Sequence, residues 1–230
     1  MNICVIPARG NSKRIPKKNI KNFLGKPIIA YSIKIALDCK IFDKVIVSTD
    51  SKEISKIANY YGAETPFIRP KKLSNDYIGT HEVIGHAIKW MESKGQKIKY
   101  CCCIYPTAPL IEKKDILNGY KLIKNQKWDA IIAVTNFSYP VYRSFKKLPN
   151  GGLKMLFPKF YNSRSQDLPE VYHDAGLFYW SNSINWKKKP KTFNDKISIV
   201  KIPNYRVQDI DIKDDWKKAE LLYKILKRKT

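Results

Sequence analysis

The sequence predicts an α/β fold with a largely parallel sheet. Short apolar runs of β-forming residues alternate along the chain with amphipathic helical stretches, which is the pattern of repeated βαβ units. One run, residues 98–105, is apolar almost throughout, as expected for a strand that is covered on both faces. A chain of 230 residues is long enough for one sizeable core, so we expect a single domain over residues 1–230.

The first elements are two strands and the helix between them. Residues 2–7 form an apolar run with no basic leader before it, which favours a first strand over a secretion signal. Residues 27–39 begin with a proline, which suits a first helical turn, and continue with apolar side chains at helical spacing. Residues 44–48 are the second run of β-forming residues, and we predict a second strand there.

A second helix and a third strand are predicted next. Asp50 and Glu53 are three residues apart, as in a capping box, and Gly62 is a suitable stop, so the second helix should lie between them. Residues 64–68 then have the composition of a short strand. After a polar loop, residues 80–93 are predicted to be helical.

The second half of the chain repeats this alternation around one interruption. The segment 136–170 is rich in Pro, Gly and aromatic residues, and it is predicted to leave the main sheet as an excursion. The elements predicted around it are a helix at 114–124, strands at 129–134, 177–180 and 197–202, and a closing helix at 214–227.

The formal net charge of +24 admits two interpretations. Clustered Lys and Arg would indicate a nucleic-acid-binding protein, whereas scattered ones reflect general composition. The basic residues are spread along the whole chain, and no recognition motif or basic face with interleaved aromatics is evident, so we expect no nucleic-acid partner. No run approaches the roughly 20 apolar residues of a membrane span. We therefore expect a cytoplasmic protein with no membrane partner.

The five cysteines do not indicate a metal framework or a disulfide scaffold. Neighbouring residues of a strand point to opposite faces, so the run 101–103 cannot converge on one zinc ion. We expect small buried residues in a reducing compartment. The three histidines, His81, His86 and His173, show no zinc-binding spacing either.

A basic loop, residues 7–19, directly follows the first predicted strand. It has neither the Walker A pattern nor the G-x-G-x-x-G pattern. Open α/β sheets bind ligands beyond the carboxyl ends of their strands, where small residues expose backbone N–H groups and Arg and Lys neutralise phosphate. From its composition alone, the loop is either a phosphate site or a solvated basic loop.

Two carboxylates, Asp209 and Asp211, precede the last predicted helix. Alternate residues of an extended segment face the same side, so both carboxylates can converge on one Mg²⁺. Asp211 could instead be the N-terminal cap of that helix.

The sequence P-A-R-G-N-S-K-R-I-P-K-K-N at 7–19 resembles the acylneuraminate cytidylyltransferase family, whose members make CMP-activated sialic acids. The similarity continues, at the spacing of that family, through V-S-T-D at 47–50, R-P at 69–70 with Leu73 and Asp76 before Thr80, P-T-A-P-L at 106–110 and D-I-D at 209–211. It implies a Rossmann-like three-layer nucleotidyltransferase fold with a mostly parallel sheet and a small dimerisation excursion. It also implies that the protein is a Mg²⁺-dependent homodimer that transfers CMP from CTP to an acidic nine-carbon sugar.

The resemblance also implies a role for particular residues. The catalytic residues would be Arg9, Lys18 and Asp211, and the metal ligands Asp209 and Asp211. The nucleotide-binding residues would be Ala8, Arg9, Ser12, Lys18, Asn19, Arg69 and Thr80, and the sugar-binding residues Tyr105, Arg164 and His173.

Within the family, the sequence is most similar to the pseudaminic acid branch. The sialic acid branch has Gln at the position of Tyr105, which argues against N-acetylneuraminate. The branch that acts on 3-deoxy-octulosonate ends its first loop with Lys-Pro, whereas here Asn19 follows Lys18. Pseudaminic acid is thus the predicted acceptor, with N-acetylneuraminate, legionaminate and 3-deoxy-octulosonate as alternatives.

Overall fold

The computed structural model describes residues 1–188 and 196–227. Its strands are β1 (Asn2–Pro7), β2 (Asn22–Phe23), β3 (Lys26–Pro27), β4 (Lys44–Ser48), β5 (Tyr100–Ile104), β6 (Ala130–Asn136), β7 (Phe145–Lys147), β8 (Leu153–Met155), β9 (Tyr172–Asn182) and β10 (Ile197–Lys201). Its α-helices are α1 (Ile28–Cys39), α2 (Lys52–Tyr60), α3 (Thr80–Ser93), α4 (Lys113–Lys124), α5 (Ser183–Lys187) and α6 (Lys213–Lys227).

Six strands form one sheet in the order β10-β6-β9-β5-β1-β4. The pairs β1 with β4, β1 with β5 and β10 with β6 are parallel. Strand β9 lies between β5 and β6 and is antiparallel to both. The prediction of an α/β fold with a mostly parallel sheet is confirmed, and β9 is longer than the strand predicted at 177–180.

Helices cover both faces of this sheet. One core cluster contains apolar residues of α1, α2 and α4, and a second contains those of α3 and α5. Cys102 belongs to the first cluster, while Cys101 and Cys103 belong to the second, as the alternation of side chains along a strand requires. All five cysteines are buried, which confirms that part of the sequence analysis.

The strand predicted at 64–68 is wrong as a regular element. Only isolated bridges occur there, from Glu64 to Ile46 and from Ile68 to Thr49. Pro66 lies between the two bridges and has no N–H to donate to a ladder, so continuous pairing is interrupted.

The predicted cap of the second helix is also corrected. The N-cap of α2 is Ser51, whose hydroxyl accepts a hydrogen bond from the Ile54 N–H at 3.3 Å. Asp50 is engaged elsewhere, because its carboxylate accepts from the Gly10 N–H at 2.8 Å. The helix ends close to the predicted stop, and Gly62 follows it with a φ of +92°.

The segment between β6 and β9 lies outside the main sheet. Its regular part is a separate antiparallel pair, β7 with β8. No helix within residues 1–188 and 196–227 combines the length and the apolar character that a bilayer crossing requires.

Candidate active site

A cleft of about 630 Å³ opens at the carboxyl ends of β1 and β5. Four segments line it: the loop after β1, the segment from Arg69 to Thr80, the turn that begins at Tyr105, and the acidic segment around Asp209 and Asp211. The structure therefore brings together Arg9, Ser12, Lys18, Asn19, Arg69, Thr80, Tyr105, Asp209 and Asp211, all predicted from the sequence.

Hydrogen bonds to its backbone groups hold the first part of the basic loop in place. The Ala8 N–H donates to the Ser48 carbonyl at 2.9 Å, which extends the pairing of β1 with β4 by one residue. The Asn19 side chain is buried and donates to the Arg9 carbonyl at 2.9 Å. A Cβ at Gly10 would lie 3.1 Å from the Cβ of Ser51, which leaves little room for any larger residue. Ala8 and Asn19 thus shape the loop that carries the cationic side chains.

Two cations of the loop share one carboxylate on the opposite wall. Arg9 pairs with one oxygen of Asp76, and Lys13 pairs with the other at 2.7 Å. Hydrogen bonds from Lys13 and Arg9 lower the pKa of Asp76. Two positive groups of the basic loop thus meet one carboxylate across the cleft. Arg and Lys are the side chains that proteins use to neutralise phosphate.

Lys18 connects the loop to the acidic segment. It begins a short 3₁₀ turn, Lys18–Ile20, after Lys17, whose φ of 52° is left-handed. Its ammonium group donates to the Ile210 carbonyl at 2.6 Å and lies 3.4 Å from Asp211 Oδ1. Lys18 therefore joins the end of the basic loop to the segment that carries the two carboxylates.

The two carboxylates face the cleft because the residue between them faces the core. Ile210 is fully buried in a cluster with Ile15, Phe23 and Trp216. Since successive side chains of an extended segment alternate, Asp209 and Asp211 share the other side.

The alternative role of Asp211 as a helix cap is not what the structure shows. Its carboxylate accepts from Arg14 Nη2 at 2.8 Å. The N–H groups of Asp211 and Ile212 donate instead to Asp215, at 3.0 and 2.9 Å. Asp215 therefore accepts the hydrogen bonds at the start of α6, and the carboxylate of Asp211 faces the cleft.

Arg69 is a buried cation at the back of the cleft, with 3% of its surface exposed. Its Nε donates to Ser74 Oγ at 3.1 Å, and its Nη2 lies 3.9 Å from Asp50 Oδ1. Burial lowers its pKa, and the positive charge of Arg9 adds to that effect.

Thr80 and Tyr105 form the remaining wall. Thr80 is the first residue of α3, and its hydroxyl lies 2.9 Å from the Tyr105 hydroxyl. Burial raises the pKa of Tyr105.

The other two predicted sugar-binding residues do not line this cleft. Arg164 pairs with Asp167 at 2.8 Å in the segment outside the sheet. His173 packs against Phe137 with ring centroids 4.9 Å apart. A role for Arg164 and His173 at the acceptor sugar stays a prediction.

Sequence reasoning assigned no role at the site to several residues that form ion pairs in or near the cleft. They are Lys13, Arg14, Asp50, Asp76 and Arg206. Lys13, Arg14, Asp50 and Asp76 lie within or beside the motifs that match the family, which was the available signal. Arg206 carries no local signal, because its partner is 91 residues away.

Comparison with known proteins agrees with this geometry. The family profile described as cytidylyltransferase matches residues 3–198. The chain belongs to the cytidylyltransferase family. It is therefore an enzyme that uses CTP as a nucleotidyl donor, as the resemblance to that family implied.

Relatives of this cytidylyltransferase include enzymes for more than one sugar. It is 45% identical over 225 residues to pseudaminic acid cytidylyltransferase of Campylobacter jejuni (strain 81-176), with 97% of each chain covered. It is 29% identical over 228 residues to N-acylneuraminate cytidylyltransferase of Escherichia coli (strain RS218), covering 99% of this chain and 52% of that protein.

The cytidylyltransferase also shares its fold with a solved structure of low sequence identity. CMP:2-keto-3-deoxy-manno-octonic acid synthetase, solved with CTP, superposes with a TM-score of 0.71 at 14% identity. The match covers 100% of this chain and 99% of that one. The prediction of a Rossmann-like nucleotidyltransferase fold is confirmed.

The acidic pair of this cytidylyltransferase has the chemistry to hold a divalent cation. Burial raises the pKa of Asp209, and the negative charge of Asp211 raises it further, so a cation between them would relieve a repulsion. Among the described residues, no three side chains of the His, Cys, Asp and Glu types cluster as ligands. Two carboxylates completed by phosphate oxygens and water are a usual environment for Mg²⁺ beside a nucleotide.

Proposed function

We propose that this enzyme transfers CMP from CTP to the anomeric 2-hydroxyl of pseudaminic acid and releases pyrophosphate. The observation that carries the proposal is the 45% identity to a pseudaminic acid cytidylyltransferase over 97% of both chains. The cleft supports it, because it joins a cationic loop for a triphosphate to a wall formed by Thr80 and Tyr105.

The reaction forms one bond at the α-phosphorus and breaks another. The oxygen of the anomeric hydroxyl attacks the α-phosphorus and its proton passes to solvent water, while the bond from the α-phosphorus to the bridging oxygen breaks and pyrophosphate leaves. Arg9 and Lys18 would stabilise the charge that develops on the leaving group, since fixed cations in a partly desolvated site act strongly on developing charge.

Mg²⁺ is the proposed cofactor, and Asp209 and Asp211 would hold it. When bound, it neutralises phosphate charge and orients the phosphate oxygens. Arg14 and Lys18 pair with Asp211. A cation bound to Asp211 would take over that role and would leave both side chains to the phosphates.

We propose that the working enzyme is a homodimer and that its excursion, within 136–170, contacts the second copy. Support comes from large apolar side chains exposed along this segment, namely Phe137, Tyr139, Phe145, Leu153, Leu156 and Tyr161. A second copy with the same surface would remove them from water at an isologous interface. Because CTP is a cytoplasmic substrate, we place the enzyme in the cytoplasm.

One assay tests the proposed function. The purified protein is incubated with Mg²⁺, one nucleoside triphosphate and one sugar, and both pyrophosphate and the sugar nucleotide are measured. CTP with pseudaminic acid should give CMP-pseudaminic acid at the highest kcat/KM. Equal use of UTP would refute the CTP assignment, and a higher kcat/KM for N-acetylneuraminate, legionaminate or 3-deoxy-octulosonate would refute the acceptor.

A further inference from the structure

The peptide group that joins Arg9 to Gly10 is hydrogen-bonded on both edges. Its carbonyl oxygen, which belongs to Arg9, accepts from Asn19 Nδ2 at 2.9 Å. Its N–H, which belongs to Gly10, donates to Asp50 Oδ1 at 2.8 Å. Because a peptide group is planar, two hydrogen bonds on opposite edges fix its orientation. Arg9 is attached to this peptide group, so the same two bonds restrict the direction in which its side chain leaves the backbone.

Asp50 lies just beyond the carboxyl end of β4, beside Arg69. The Arg69 N–H donates to the Thr49 carbonyl at 2.8 Å, which ties the two segments together. Arg69 Nη2 lies 3.9 Å from Asp50 Oδ1, the same oxygen that accepts from Gly10. A Cβ at Gly10 would lie 3.1 Å from Ser51 Cβ, so the absence of a side chain there lets the loop approach Asp50 closely.

Asp50 can influence a ligand in the cleft only through its neighbours. Arg9 and Arg69 line the cleft, whereas Asp50 does not. The Gly10 N–H is engaged by Asp50, so this point of the basic loop offers a side chain to phosphate and not a backbone donor. That side chain is Arg9, whose guanidinium reaches Asp76 on the opposite wall.

We propose that Asp50 is a positioning residue that acts through the peptide group between Arg9 and Gly10 to place the Arg9 side chain for the triphosphate of CTP. The inference rests on the part of the proposed function that assigns Arg9 to the phosphates. Without the carboxylate, only the hydrogen bond from Asn19 holds this peptide group. Arg9 then leaves the backbone in several directions, and CTP binds to one of them at a cost in affinity.

Two substitutions at Asp50 isolate the hydrogen bond. Asp50→Asn and Asp50→Ala both remove the charge, so the difference between them reports the hydrogen bond. In Asp50→Asn the amide oxygen should replace Oδ1, because two donors, the Gly10 N–H and Arg69 Nη2, face that position. The Kd for CTP, measured by calorimetry with Mg²⁺ and without sugar, should stay within about threefold of wild type in Asp50→Asn, which keeps the bond. It should rise about tenfold in Asp50→Ala, as one lost hydrogen bond predicts.

A double-mutant cycle tests whether the effect passes through Arg9. In an Arg9→Ala background no guanidinium is left to position. Asp50→Ala and Asp50→Asn should then bind CTP equally, to within about twofold. An effect that passed through Arg69 would instead keep the difference between the two substitutions in both backgrounds.

The matched control is Asp43→Ala. Asp43 precedes β4 as Asp50 follows it, and its Oδ2 accepts from the Asn2 N–H at 2.6 Å, at the opposite end of β1. The variant loses the same kind of hydrogen bond away from the cleft, so its Kd for CTP should equal that of the wild type. The Tm of every variant is measured alongside. If Asp50→Ala proves unstable, Asp50→Leu, which fills the space of the carboxylate with methyl groups, replaces it.

Three results would overturn the inference. Asp50→Ala and Asp50→Asn could bind CTP equally in the wild-type background, their difference could persist without Arg9, or Asp43→Ala could weaken binding as much as Asp50→Ala does. None of them touches the proposed function, because the transfer to sugar is assayed separately with the wild-type enzyme. A wild-type protein that binds CTP but uses no acidic sugar would refute the proposed function, and the binding cycle would still decide the role of Asp50.

Discussion

Arg206 and Asp115 form a buried, two-pronged ion pair. Arg206 Nη1 lies 2.7 Å from Asp115 Oδ2, and Nη2 lies 2.9 Å from Oδ1. The two residues are 2% and 3% exposed. The pair ties the segment that leads to Asp209 and Asp211 onto the start of α4, so it sets the position of the acidic segment relative to the rest of the cleft.

Arg206→Met should lower the free energy of unfolding by about 3–5 kcal/mol, because the Asp115 carboxylate is left buried without its partner. Urea unfolding followed by circular dichroism measures the loss. The control is Arg143→Met, which removes an arginine from the more exposed segment outside the sheet. Equal losses in the two variants would show that burial of the Arg206 pair has no special effect.

Lys18→Ala should lower kcat/KM for CTP by about 10²–10³-fold, as removal of one preorganised charge-stabilising group typically does. Lys17→Ala is a close control, since Lys17 is adjacent in sequence but pairs with Glu53 at the surface. Pyrophosphate release measures both. Comparable losses in the two variants would favour a general electrostatic effect over a specific contact of Lys18.

Asp209→Ala and Asp211→Ala should each lower turnover by orders of magnitude and leave the fold intact, because the proposed Mg²⁺ site is lost. Asp214→Ala, an exposed acid in the first turn of α6, should retain activity. The measurement is initial rate against Mg²⁺ concentration. Unchanged Mg²⁺ dependence in both site variants would contradict the assignment of these carboxylates.

Tyr105→Gln should narrow the preference for pseudaminic acid over N-acetylneuraminate. The variant exchanges an apolar ring, which suits a methyl-ended sugar tail, for an amide, which suits hydroxyl and N-acetyl groups. The change should amount to about 1–3 kcal/mol, measured as the ratio of the two kcat/KM values at saturating CTP. An unchanged ratio would show that Tyr105 does not select the sugar.

Leu153→Glu should convert the proposed dimer to monomer, because it places a charge in the apolar surface of the excursion. Leu221→Glu on α6 is the control, since Leu153 and Leu221 are similarly exposed, at 69% and 61%. Analytical ultracentrifugation of both variants and the wild type gives the result. A wild-type monomer at all concentrations would end the dimer proposal.

The sequence by itself determined the local elements and the parts of the site that lie in one stretch of chain. Helical spacing placed α1, α3, α4 and α6 to within about a residue, because periodicity records which side of an element is buried. The loop at 7–19 and the pair of Asp209 and Asp211 could be singled out as candidates because their chemistry lies in consecutive or alternate residues.

Only the tertiary structure decided which distant residues meet. The antiparallel insertion of β9, the pair of Arg206 and Asp115, and the ring contact of Tyr179 with Tyr105 join segments far apart in the chain. The hydrogen bond from the Gly10 N–H to the Asp50 carboxylate also joins separate segments, and with Asp50 engaged there, the N-cap of α2 is Ser51. Residue patterns report burial and local hydrogen bonding, but a hydrogen bond between separate segments depends on how whole elements pack, and that packing is a property of the folded chain.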